Sequence, residues 1–214
     1  MHSDTNSLIA DLVGDLRPVR PLKLSRGLTV AAAGACATLG VVALLFGIRP
    51  DIASGHFDPL FLLSTGLFLV LGVAAAVTVI VMSRPQVGTD HGGWTWAAAM
   101  AALLPLTALV MGLAEGSGAL ARSSPEQGLD CLMVGSALAL ITGTALTWWL
   151  RRGAPTSPER AGLLTGIAAG SIGIFAFSFS CQYSDIYHIG LWHSLVVAAA
   201  AVVGRVVVPR LVRW

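Results

Sequence analysis

The sequence predicts an all-α fold: a polytopic membrane bundle of six transmembrane helices behind a short amphipathic N-terminal helix. Three observations carry this. Only 11% of residues are charged and 55% are apolar, whereas ordinary soluble domains carry roughly a quarter charged residues. The apolar residues gather into six stretches, each long enough to cross a hydrocarbon core about 30 Å thick. The basic residues fall almost entirely on one side of those stretches.

The first 27 residues are polar and carry both charge signs. They hold no apolar run, so no signal peptide is read there. Asn6 to Leu16 reads NSLIADLVGDL. Leu8, Ile9, Leu12, Val13 and Leu16 fall on one helical face, with Asp11 and Asp15 on the other. Asn6 or Ser7 is a natural N-cap. A helix of about three turns is too short to stand alone and needs a surface to cover its apolar side. Membrane-surface helices usually carry Lys or Arg on the polar face. Here that face is acidic, which points to a protein partner. Leu16-Arg17-Pro18-Val19-Arg20-Pro21-Leu22 follows, and its two prolines favour an extended segment. By itself it reads equally as a stiff spacer.

The first span runs from Leu28 to Ile48, the second from Pro59 to Met82 and the third from Trp94 to Leu113. The fourth runs from Cys131 to Leu150, the fifth from Ala161 to Ser180 and the sixth from Gly190 to Val208. Gly, Pro and charge punctuate the segments between them. Backbone in lipid must satisfy its own hydrogen bonds, and no alternation of period two suggests a barrel, so the spans are helices. The expected division is a head over 1–27, a bundle over 28–208 and a tail over 209–214.

With the N-terminus inside, the inner face holds Arg17, Arg20, Lys23, Arg26, Arg84, Arg151, Arg152, Arg160, Arg205, Arg210 and Arg213. That is eleven of the thirteen basic residues, and only Arg49 and Arg122 lie outside. Both termini are therefore expected in the cytoplasm. Trp94, Trp96, Trp148, Trp149 and Trp214 are expected as anchors at the inner boundary and Trp192 at the outer one. Gly135, Ala139 and Gly143 line one face of the fourth span, and Gly162, Gly166 and Gly170 line one face of the fifth. These two faces are expected to pack together.

No Asp, Glu or Lys lies in mid-span, which disfavours a proton- or ion-coupled transporter. No GxSxG, HExxH or phosphate-cradling glycine loop occurs, so no catalytic residue is assigned, and neither enzyme activity nor a cofactor is expected. No basic patch with interleaved aromatics supports direct nucleic-acid binding. Of the three cysteines, Cys36 reads as a small buried residue of the first span. Cys131 opens the fourth span and Cys181 closes the fifth, both at the outer boundary. If those helices are antiparallel neighbours, the thiols share a depth. They suit a disulfide, a two-thiol site for a soft metal, or no chemistry at all. Glu126 and Asp130 precede Cys131. Asp185, His188 and His193 follow Cys181 and are weak metal-ligand candidates.

An apolar-acidic LxxDLxPVRPL head leading directly into six membrane helices resembles the NrsF family of bacterial anti-sigma factors. The matching residues are Leu12, Asp15, Leu16 and Pro18 to Leu22. Val134-Gly135-Ser136 and the stretch from Gly143 to Trp149 are also family-like. The resemblance implies a multi-pass protein of the bacterial inner membrane that holds an extracytoplasmic-function sigma factor inactive. It implies partner binding through Leu8, Leu12, Asp15, Leu16, Arg17, Pro18, Val19, Arg20, Pro21 and Leu22. It also implies signal sensing through Cys131 and Cys181, which match the two cysteines that the family carries toward the periplasm. The competing reading is a thiol-active membrane oxidoreductase or a small transporter.

Overall fold

The computed structural model describes residues 2–15, 22–56, 58–85, 93–115 and 125–212. Among these residues every regular element is helical. Six helices are long and apolar enough to cross a membrane.

Helix α1, His2–Gly14, stands ahead of the spans. It takes in Asn6 and Ser7, expected at its cap: nothing from His2 to Thr5 breaks a helix, and a glycine ends it. The spans are α2 (Leu24–Leu45), α4 (Pro59–Met82), α5 (Gly93–Glu115), α6 (Pro125–Leu150) and α7 (Pro158–Ser178), with the one-turn α3 (Pro50–Ala53) after α2. The last span joins α8 (Ile186–His188), a π-helical turn (Ile189–His193) and α9 (Ser194–Val212). Proline stands in the first turn of α4 and of α7, where its missing N–H costs nothing. Asp58 caps α4 by accepting from the Leu60 N–H at 2.9 Å.

Helix α7 is central and buried along nearly its whole length. It packs against α9, α4 and α6. The expected pairing of glycine faces is corrected here. Helices α6 and α7 do pack together, but through Gly173 and Ala169 of α7, which meet Ala139 and Gly143 of α6. Gly162, Gly166 and Gly170 face α9 instead, against Gly204, Ala200 and Val197. A four-residue spacing marks a face on which backbones approach closely. It does not say which neighbour takes that face when a helix is surrounded.

Helix α2 packs along Gly27, Ala31, Gly34, Thr38 and Val42. Its one buried cross-helix polar contact among the described residues is Thr38 Oγ1 to Thr142 Oγ1, at 3.2 Å. Cys36 lies off that stripe and is exposed, contrary to the expectation of a buried residue. The helix has a single packed face and Cys36 is on the other.

The bundle has two distinct ends. At the head end, Gly27 of α2 meets Ile80 of α4 and Trp149 of α6. The Trp149 indole N–H donates to Ser83 Oγ at 3.1 Å, and the Ser83 carbonyl accepts from the Ala154 N–H at 3.0 Å. Trp149 is therefore a core residue and not a boundary anchor. Its neighbour Trp148 is exposed, with the Arg152 guanidinium 3.6 Å from its ring centroid. Arg205 reaches Glu159 at 3.8 Å. At the opposite end, the Arg49 N–H donates to the Phe179 carbonyl at 2.9 Å, joining the α2–α4 connection to the end of α7.

Candidate functional site

The end of the bundle away from the head holds a buried cluster of four side chains: Cys131, Cys181, His188 and His193. Their ligand atoms all lie within 4.8 Å of one another. The two sulfurs are 3.7 Å apart. Nε2 of His188 is 3.3 Å from the Cys131 sulfur and 3.7 Å from the Cys181 sulfur. All four residues are 5% exposed or less.

Each comes from a different piece of chain. Cys131 lies in the second turn of α6, which begins at Pro125 and not at the cysteine. Glu126 and Asp130 are polar, yet they continue the helix beyond its apolar stretch, as acidic residues do near an N-terminus. Cys181 sits in the connection after α7. Arg49 pins that connection: its guanidinium donates to the Cys181 carbonyl at 2.8 Å and to Ser184 Oγ at 2.6 Å. Arg49 is itself held by Asp51, with Nε donating to Oδ1 at 3.0 Å. That bond keeps the Asp51 carboxyl below its ordinary range.

His188 closes α8, where Asp185 Oδ1 accepts from its backbone N–H at 2.8 Å. Asp185, a sequence candidate for a ligand, is thus the helix cap and not one of the four. His193 ends the π-helical turn, and neither of its ring nitrogens has a hydrogen-bond partner among the described residues. The two imidazoles stand edge to face with centroids 5.2 Å apart. The Cys181 thiol is held below the ordinary thiol range, first by its hydrogen bond with Cys131. The imidazoles beside it add to that effect and burial opposes it.

Gly128 is a further determinant that the sequence reading did not single out. Any Cβ there would collide with the Trp192 ring. This glycine lies one turn before Cys131, and Trp192 adjoins His193, so the two ligand-bearing elements meet across it. Trp192, expected as a boundary anchor, is packed into this contact.

In the head, Leu8, Ile9, Leu12 and Val13 are each more than half exposed, with Leu12 at 62%. Asp15 is exposed just after α1 ends. Leu22 packs, partly buried, against the bundle core. Leu16, Arg17, Pro18, Val19, Arg20 and Pro21 lie outside the described residues.

Fold and site together define a class: a six-span helical membrane protein with an open head helix at one end and a buried thiol–imidazole cluster at the other. The family model described as "NrsF: Negative regulator of sigma F" matches residues 12–214, and the chain belongs to that family. It is 29% identical over 221 residues to "Anti-sigma-F factor NrsF" of Caulobacter vibrioides (strain NA1000 / CB15N), covering 98% of this chain and 97% of that protein. It is 26% identical over 190 residues to "Probable anti-sigma-F factor NrsF" of Azospira oryzae, covering 87% of each. No solved structure matches. The family resemblance read from the PVRPL head is borne out by these matches.

Proposed function

We infer that the chain is an anti-sigma factor of a bacterial inner membrane, with both termini in the cytoplasm. It holds an extracytoplasmic-function sigma factor through the N-terminal head. It releases that factor when the state of Cys131 and Cys181 changes on the periplasmic side. One observation carries the head's part: the leucine face of α1 is open, with Leu8, Ile9, Leu12 and Val13 each more than half exposed. A short amphipathic helix in that condition suits a groove on a partner protein.

Charge supports the orientation. Arg84, Arg151, Arg152, Arg160, Arg205 and Arg210 belong to the head end and Arg49 to the other. Two-state signalling supplies the mechanism. The cluster ties α6 to the α7–α8 connection and the π-helical turn, so breaking or reforming it changes how α6 and α9 sit on α7. Those helices run unbroken to the head end. There α9 meets α7 at Gly204 and Gly162, and α6 meets α4 through Trp149 and Ser83. A signal works only if it favours one arrangement over the other. The oxidoreductase reading is weaker, because Cys36 is outside the cluster and leaves the pair without a second thiol pair to exchange with.

The test is deletion of residues 2–16 with the membrane part intact and its level checked by blot. Derepression of the target promoter is expected. Full repression by the shortened protein would assign the grip to the inner loops. Leu12→Ala alone should weaken sigma-factor binding roughly ten-fold, since a central interface anchor typically contributes about 1 to 2 kcal/mol.

A further inference from the structure

We propose that His188 and His193 complete, with Cys131 and Cys181, a closed four-coordinate centre for a d10 cation of the zinc class. The site is the one assigned above to sensing. The inference rests on that reading only for what loading does to the head's grip.

The spacing of the ligand atoms carries the proposal. With metal–sulfur bonds of about 2.3 Å and metal–nitrogen bonds of about 2.0 Å, a tetrahedron places its two sulfurs about 3.8 Å apart and each sulfur about 3.5 Å from a nitrogen. The sulfurs here are 3.7 Å apart, and the His188 nitrogen lies 3.3 and 3.7 Å from them. His193 brings a fourth ligand atom within 4.8 Å of each of the other three.

His193 is the independent observation. It is 2% exposed, and both ring nitrogens lack a hydrogen-bond partner among the described residues. A buried polar group without a partner is costly and needs an explanation, and a metal ion supplies one.

The backbone is arranged for the same end. Residues five apart in an ordinary α-helix point about 140° away from each other at 3.6 residues per turn. The π-helical turn Ile189–His193 starts directly after His188 and ends on His193. Its wider winding brings residue i+5 back over residue i, and such turns recur at functional sites. Asp185, by capping His188, and Arg49, by holding the Cys181 carbonyl, fix the backbone of two ligands.

The donor set selects the ion. Thiolate and imidazole suit zinc and cadmium and exclude magnesium and calcium, which take oxygen. Loading requires both sulfurs as thiolates, and any proton they still carry leaves to solvent. The two thiolates then cancel the charge of a divalent ion, leaving a neutral centre suited to burial. Four protein ligands leave no open position, so the centre is of the structural type and not the catalytic one. A loaded site also masks both thiols, so an incoming thiophilic ion or oxidant acts by displacing the resident metal.

The test uses the full chain in detergent, reduced and stripped with a chelator, with cobalt(II) as the spectroscopic probe. One equivalent should give the intense visible bands of tetrahedral cobalt and a thiolate charge-transfer band, and zinc should abolish both. His188→Ala and His193→Ala should each weaken binding by more than about 100-fold, beyond what loss of an outer-shell partner costs. His193→Cys should restore tight binding with a stronger charge-transfer band, which separates lost ligation from lost folding. Absence of a tetrahedral cobalt spectrum in the reduced parent would overturn the proposal. So would alanine variants that bind as tightly as the parent. Either result leaves the head's hold on the sigma factor to be judged by its own deletion experiment.

Discussion

Arg49 shows how single side chains set the far end of the bundle. Its guanidinium is nearly enclosed, at 10% exposure, stands 5.5 Å from the Phe61 ring centroid and spends its donors on Cys181, Ser184 and Asp51. On sequence it is only an outside arginine that breaks the positive-inside pattern. Hydrogen bonds to a charged group contribute about 1.5 to 3 kcal/mol. Arg49→Ala is therefore expected to loosen the Cys181 connection and raise the alkylation rate of Cys181 about ten-fold or more, while α7 stays helical. An unchanged rate would show that the connection is held by its own turns. The thiols were legible on sequence because both fall at span ends of the same depth. The histidines were legible only as weak ligand candidates alongside Asp185: five residues apart, they share a face only through the π-helical turn, which no spacing rule reveals. Gly128 escaped notice because its constraint is the indole of Trp192, distant in sequence.

The six spans were readable from length and hydropathy alone, because lipid makes the backbone rule nearly absolute. Their starts were less so. Helix α6 begins at Pro125, ahead of its apolar stretch, because polar first-turn residues are good helix formers outside the hydrocarbon. Helix partners were the least readable, as the α7 glycine face shows. Gly166 tests that packing. A Cβ there would run into the Ala200 carbonyl on α9, which is backbone and cannot swing away. Gly166→Ala should cost about 1 to 3 kcal/mol by overpacking and lower the melting temperature in detergent. Gly40→Ala, where nothing lies within 4 Å, should leave the melting temperature unchanged or raise it. Equal melting of the two variants would mean that α7 and α9 are not tightly apposed.

Across the whole molecule, the head helix and the thiol–imidazole cluster lie at opposite ends of one bundle, so the proposed function puts a membrane between the sensing site and the gripping one. Topology is the first check at this scale. Reporter fusions at Asp51 and Asp185 should report the periplasm, and fusions at Arg84 and Arg152 the cytoplasm. Either terminus found outside would place the head with the wrong partner compartment. The central claim is coupling between the two ends, and coupling is a difference in affinity between states. The most direct measurement is the Kd of a labelled sigma factor for the full-length protein in lipid nanodiscs, compared before and after oxidation of Cys131 and Cys181. The account predicts at least about ten-fold weaker binding in the oxidised state, equivalent to about 1.4 kcal/mol, and no such change in Cys131→Ser. Equal affinity in both states of the parent protein would contradict it.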